Sequence, residues 1–157
     1  MLKKMSSSGL VWLWLTIILV AFDQVTKFWV THHLHFFEPF RILPFLNLTL
    51  AYNTGAAFSF LHSASGWQNW IFSTLAIIVS FVVLFWLGKL PGRNRWLSIA
   101  LCLILAGALG NAWDRMTYGY VIDFLDFHAV DWHFAIFNIA DGAICVGAAM
   151  LFWDWIR

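Results

Sequence analysis

Charge is what this sequence has least of. Only 11% of its 157 residues are charged and 62% are hydrophobic, whereas an ordinary soluble domain is about a quarter charged. That scarcity excludes a soluble globular domain and assigns the chain to lipid. Neither sign prevails, and a formal net charge of +1 provides no basic face for nucleic acid. Cysteine is nearly absent. Cys102 and Cys145 each fall inside an apolar run, where a small buried hydrophobe is expected rather than a disulfide or a metal ligand. Internal repeats, low-complexity tracts and a separable soluble portion are lacking too. No small-x-small cleavage site follows the first apolar run, which is too long for a signal-peptide core and carries Asp23 and Lys27 near its end. It is read as a retained helix.

What is present is length of apolar sequence. Four segments, at about 11–30, 67–87, 96–113 and 135–153, reach the roughly 17–25 residues that a membrane-crossing helix needs. Together they define a single integral membrane domain over 1–157. Lys3, Lys4, Lys89, Arg93, Arg95 and Arg157 flank one side, against Lys27, Arg41 and Arg115 on the other. By the positive-inside rule both termini and the turn at Pro91–Arg95 face the cytoplasm, and the two longer connections face outward with all the histidines. Within the first connection, Leu46, Leu48, Leu50 and Tyr52 alternate with Asn47, Thr49, Ala51 and Asn53, the period of a half-buried strand. Thr54-Gly55 supplies a turn, and Phe58 and Phe60 resume the alternation. A small sheet on the outer surface is expected there. The stretch 116–133 is less regular and reads as a short interfacial helix with extended pieces.

Against this background a few polar residues stand out. Asp123 sits in Val121-Ile122-Asp123-Phe124-Leu125 and Asp141 in Ile139-Ala140-Asp141-Gly142-Ala143. A carboxylate in such surroundings costs a few kcal/mol, roughly 2.5–3.5 at mid-membrane on insertion scales. At about 1.5 Å per residue, Asp23 lies roughly 10 Å below the outer end of the first span and Asp141 roughly 9 Å below the start of the fourth. Lys27 and Asn138 lie one turn above Asp23 and Asp141 on the same helical faces, and Asn111 and Arg115 end the third span. Four segments thus deliver polar groups to one level beneath the outer surface. Asp23 and Lys27 have the spacing of a structural ion pair, and Asn111, Asp114 and Arg115 are suited to capping the third helix. His32, His33 and His35 resemble part of a metal cluster but read better as exposed interfacial residues. His128 and His133 lack the spacing of a zinc site, and Trp67, Trp70, Trp96, Trp113 and Trp153 have the distribution of an interfacial aromatic belt. Asp123 and Asp141, with no adjacent basic residue, have no such structural account.

Two carboxyls that share a site also share a proton. The ionised one can take a proton from water, while the protonated one polarises a carbonyl and feeds the leaving amine. That chemistry needs no metal, no cofactor and no covalent intermediate. Serine or cysteine catalysis is poorly served by the sequence around those residues.

The chain resembles the lipoprotein signal peptidases (signal peptidase II), aspartic peptidases of bacterial cytoplasmic membranes. The resemblance rests on Asp23-Gln24-Val25-Thr26-Lys27, Tyr52-Asn53-Thr54-Gly55-Ala56-Ala57-Phe58-Ser59, Gly110-Asn111-Ala112-Trp113-Asp114-Arg115, Val121-Ile122-Asp123-Phe124 and Phe137-Asn138-Ile139-Ala140-Asp141, in that order. It implies four transmembrane helices with an outward-facing β-cradle. It also implies Asp123 and Asp141 as catalytic dyad, with Asn53, Gly55, Asn111, Arg115 and Asn138 supporting the site. Asp23 and Lys27 are assigned to structure or substrate positioning, and Asp126 is a rival for Asp123. The implied partners are membrane lipids and a prolipoprotein bearing a diacylglyceryl group, cleaved just before its lipidated cysteine. Two other classes remain as alternatives. A proton or ion carrier would need acidic groups through the whole bilayer, and the inner half has almost none. A non-enzymatic lipid-binding scaffold would keep its function after Asp→Asn changes.

Overall fold

The computed structural model describes residues 8–55, 67–129 and 132–157. Within them four helices are long and apolar enough to cross a membrane. A 3₁₀ turn, Gly9–Trp12, leads into α1, Leu13–His33. Strands β1, Pro39–Leu43, and β2, Leu46–Asn53, follow. Next come α2, Trp67–Lys89, and α3, Arg95–Tyr118. Strands β3, Val121–Ala129, and β4, Trp132–His133, precede α4, Ile139–Ile156. Phe58, Phe60, Lys3, Lys4 and the Ala56–Ser59 part of the second motif lie outside the described residues.

The central helix is α3. Of its most apolar 18-residue stretch 61% is buried, against 17–22% in the other three, because small residues such as Ala100, Ala106, Gly107, Ala108, Gly110 and Ala112 let its neighbours come close. Gly110 shows how close: a Cβ there would lie 2.7 Å from Asp23 Oδ2. Away from α3 the helices expose Phe22, Phe28, Phe81, Phe85 and Trp155 to the surroundings, as expected where lipid rather than water is the solvent. One apolar cluster, around Val83, Leu87, Leu101 and Leu105, packs the end near the Pro91 turn. A second, of Val30, Leu50, Ile122 and Phe124, ties the sheet to α1.

Chain signals set the helix ends. Asn94 caps α3 by accepting from the Leu97 N–H. The same helix stops at Gly119, whose φ of 80° only glycine adopts without strain. It therefore runs past the expected end at 113, and Val121–Ala129 forms one strand. Among the described residues no separate interfacial helix occupies 116–133. Helix α4 begins at Ile139 rather than near 135, because Asn138 caps it.

The sheet is antiparallel in the order β1-β2-β3-β4. In β2 the simple two-face alternation fails. Asn47 and Thr49 are buried while Tyr52 is exposed, because Asp126 of β3 draws both polar side chains inward and the pairing with β3 slips between Leu48 and Ala51. Past the slip Ala51 faces Asp123. An isolated bridge between Leu125 and Phe137 then brings the start of α4 against β3.

Candidate active site

Three elements meet where that bridge forms. Asp123 projects from β3 and is 2% exposed. Asn138 and Asp141 occupy the cap and the first turn of α4, and Asn111 comes from α3. Asn138 joins the two carboxyls. Its side-chain amide donates to Asp123 Oδ1 at 2.7 Å, and its backbone N–H donates to Asp141 Oδ2 at 3.2 Å. Its amide oxygen in turn accepts from the Asp141 N–H at 2.9 Å, so cap and site are one structure, a reciprocal capping box. Asp141 is thus a first-turn residue, nearer the start of its helix than the roughly 9 Å expected from a span beginning near 135, because the helix starts at Ile139.

The remaining carboxylate oxygens are also engaged. Asn53 at the end of β2 donates to Asp123 Oδ2 at 3.0 Å, and Gly55 N–H holds the Asn53 oxygen at 3.0 Å. Gly55 adopts φ 115°, a region that suits glycine. Asn111 donates to Asp141 Oδ1 at 2.7 Å. Burial pushes the Asp123 carboxyl up to about 7; the neighbouring Asp141 charge adds to the rise, and the Asn53 and Asn138 amides oppose it. The Asp123 carboxyl is thereby favoured in its protonated form up to near neutral pH.

Behind Asn111 lies a buried ionic cluster. Lys27, 1% exposed, pairs with Asp23 and Asp114, each at 2.8 Å, and donates to Asn111 Oδ1 at 3.1 Å. The expected Asp23–Lys27 pair is present but is two-thirds of a triad. Asp114 is no simple helix cap: it also accepts from Gln24 at 2.9 Å and from the Ile122 N–H at 3.2 Å, fastening β3 next to Asp123. Asp23 accepts from the Ala140 N–H at 3.0 Å, fastening α4 next to Asp141. Gln24 and Asp114 are the residues that sequence reasoning underrated, although both stand inside the motifs. Spacing alone cannot show that a polar residue on α1 and another on α3 share a cation.

Arg115 is beside the two carboxyls, near enough to interact with the charges of Asp141 and Asp123. Its guanidinium lies 5.1 Å from the centre of the Phe72 ring, and its Nε is buried without a hydrogen-bond partner. With Asn111 and Asp141 it closes the polar end of a cavity of about 290 Å³ between α2, α3 and α4, otherwise lined by apolar side chains such as Leu75, Val79, Ala108 and Ile144.

Asp126, the rival for Asp123, is committed elsewhere. It is buried, but hydrogen bonds from His133, Thr49 and Asn47 outweigh the desolvation and hold its carboxyl below the usual range. His32 and His33 donate to backbone carbonyls in the last turn of α1. Among the described residues no three His, Cys, Asp or Glu side chains are grouped to hold a metal ion.

Residues 15–157 match the family described as signal peptidase (SPase) II. A lipoprotein signal peptidase of Coxiella burnetii (strain Dugway 5J108-111) is 48% identical over 151 residues, 96% of this chain and 93% of the relative. One from Yersinia enterocolitica is 48% identical over 154 residues, 98% of this chain and 91% of the relative. A bacterial membrane enzyme solved by the in meso method at 2.3 Å resolution superposes with a TM-score of 0.83 at 32% identity, covering 93% of this chain and 87% of that one.

Proposed function

The chain belongs to the signal peptidase II family, and from that premise we propose that Asp123 and Asp141 are the carboxyls with which it hydrolyses a peptide bond. As a member it is a membrane protease that removes signal peptides from prolipoproteins. The observation that carries the dyad is Asn138, one residue bonded to both carboxyls. An ion carrier has no use for a pair clamped in this way at one end of the bundle.

The reaction follows from two carboxyls and one proton. The ionised carboxylate removes a proton from water as its oxygen bonds to the scissile carbonyl carbon, and the protonated carboxyl gives its proton to the carbonyl oxygen. Each has then exchanged its state. As the carbon–nitrogen bond breaks, the first carboxyl protonates the amine and the second recovers a proton from the diol. The products are an acid and an amine, and the dyad returns to its starting form. Arg115, with a buried Nε lacking a partner at the cavity's polar end, orients the substrate backbone by donating to a carbonyl.

The substrate is a prolipoprotein carrying a diacylglyceryl group, cut just before the modified cysteine. An apolar cavity that opens between helices beneath the dyad suits a substrate anchored in lipid. The chain acts as a single membrane domain of the bacterial cytoplasmic membrane, with both termini inside and the dyad near the outer face. Asn53, Gly55, Asn111 and Asn138 hold the carboxyls, while Asp23 and Lys27 support them from behind. Asp123→Asn and Asp141→Asn preserve shape and hydrogen-bonding capacity, and each lowers cleavage of a lipidated precursor in detergent by about 10²–10⁴-fold. Wild-type turnover by either folded variant would remove that carboxyl from the mechanism.

A further inference from the structure

We propose that Lys27 is a positioning residue: by holding the Asn111 amide oxygen it turns that amide's N–H toward Asp141, making Asp141 the member of the pair that carries the negative charge and Asp123 the one that carries the proton. This rests on the dyad reading above and deepens it.

The Asn111 amide has two different ends, one accepting and one donating. Asn111 Oδ1 accepts from Lys27 Nζ and from Asn138 Nδ2, each at 3.1 Å, and Asn111 Nδ2 donates to Asp141 Oδ1 at 2.7 Å. Flipping the amide would set two N–H groups against a cation and another N–H, and an oxygen against a carboxylate. The cation therefore allows only one orientation. Lys27 is itself held by Asp23 and Asp114 at 2.8 Å each and is almost wholly buried.

The charged groups around the pair are Asp23 and Lys27 from α1, Asp114 and Arg115 from α3, and the two carboxyls themselves. Their surroundings differ. Asp141 lies in the first turn of α4, where the helix N-terminus favours an anion. It receives the Asn138 backbone N–H on one oxygen and the cation-oriented Asn111 amide on the other. Asp123 lies on a strand, with no helix terminus of its own behind it, and is driven toward its protonated form mainly by burial. The Asn138 amide that reaches Asp123 also contacts the Asn111 oxygen and the Ile122 carbonyl, so two N–H groups serve three acceptors. The environment thus separates the two otherwise equal carboxyls into base and acid. In the resting enzyme Asp141 takes the proton from water, and Asp123 supplies the proton to the carbonyl.

Two measurements test the proposal. In infrared difference spectra at pH 5 the band of a protonated carboxyl is lost in Asp123→Asn and retained in Asp141→Asn, since burial rather than Asp141 is the larger cause of the Asp123 proton affinity. The reverse pattern overturns the assignment. The pH profile of kcat/KM tests Lys27. Asn111→Leu leaves Lys27 its two carboxylates and removes only the link; it moves the acid limb of the profile to higher pH, because the site has lost a donor that favours its ionised form. Lys27→Met moves it likewise, Lys27→Arg keeps it in place, and Lys27→Met with Asn111→Leu adds nothing further, both having cut the same connection. An unmoved acid limb in folded Asn111→Leu overturns the positioning role, whether or not Lys27→Met folds. That outcome with inactive Asp variants leaves the dyad standing, whereas active Asp variants remove the dyad itself.

Discussion

Asp123 binds its proton up to about pH 7 because burial disfavours its charged form, with Asp141 adding to the effect and the Asn53 and Asn138 amides working against it. With the proposed dyad, which needs one proton on the pair, this would set the alkaline side of the pH profile. As pH rises through about 7 the proton leaves and the acid is lost, so kcat/KM falls above that value. The direction of a mutational shift follows as well. Asn53 donates to Asp123 Oδ2 and favours the ionised form. In Asn53→Ala that support is gone, the proton is held to higher pH, and the alkaline limb moves up, while its peak rate falls through looser geometry. A limb that moves down or stays fixed would contradict the sign argued here. The same residue-scale logic explains which site members the sequence made legible. Asp123 and Asp141 stand out because a carboxyl inside apolar sequence is expensive in any fold. Gln24 and Asp114 do not, because polar groups at the end of a helix have an ordinary explanation until the shared cation is seen.

At the scale of elements, the start of α4 does two jobs with one side chain. Asn138 Oδ1 caps the helix by accepting from the Asp141 N–H, and Asn138 Nδ2 reaches Asp123. These functions separate in Asn138→Ser, which keeps an oxygen for the cap and loses the amide donor. Its helix cap is retained, an interaction that costs about 1 kcal/mol when removed altogether, yet cleavage drops by about 10²-fold, within the range for a disturbed acid–base pair. Asn138→Ala loses both, so its melting temperature in detergent falls below that of Asn138→Ser. Equal melting with equal activity would mean that cap and site are not linked. Elements were unevenly legible in the sequence. Four long helices follow from apolar length alone, and the alternation from Leu46 marked a strand. The pairing of β2 with β3 was not legible, because Asp126 buries Asn47 and Thr49 and so breaks the polar-out rule on which the face assignment relied. The strand at Val121–Ala129 was blurred in the same way: Val121 through Phe124 and Asp126 are all buried, which leaves no alternation to read.

Across the whole molecule, the polar site and the sheet occupy one end of the bundle and the Pro91 turn the other. By the positive-inside rule, the excess of Lys and Arg near that turn would place it in the cytoplasm, as proposed above. In a Cys145→Ser background, a membrane-impermeant thiol reagent added to intact spheroplasts labels Glu38→Cys and leaves Gly92→Cys unlabelled; the opposite pattern would invert the topology. Between α2, α3 and α4 the cavity of about 290 Å³ descends from Arg115 and Asp141 along Leu75, Val79, Ala108 and Ile144. On the proposed function, apolar substrate occupying that descent lets a peptide bond reach the dyad while its lipid anchor stays in the bilayer. Ala108 is 7% exposed on the cavity wall and lies one helical turn below Asn111. A phenyl group at that position fills space in the apolar part of the cavity that the substrate needs. Ala108→Phe therefore raises KM for a lipidated precursor by about tenfold, the loss of roughly 1.4 kcal/mol of binding, and leaves the pH limbs of kcat/KM where they stand in the parent enzyme. A displaced limb would mean that the phenyl group had moved α3 against α4 and disturbed Asn111. An unchanged KM would mean that the substrate approaches the dyad from another side, across the sheet rather than between the helices.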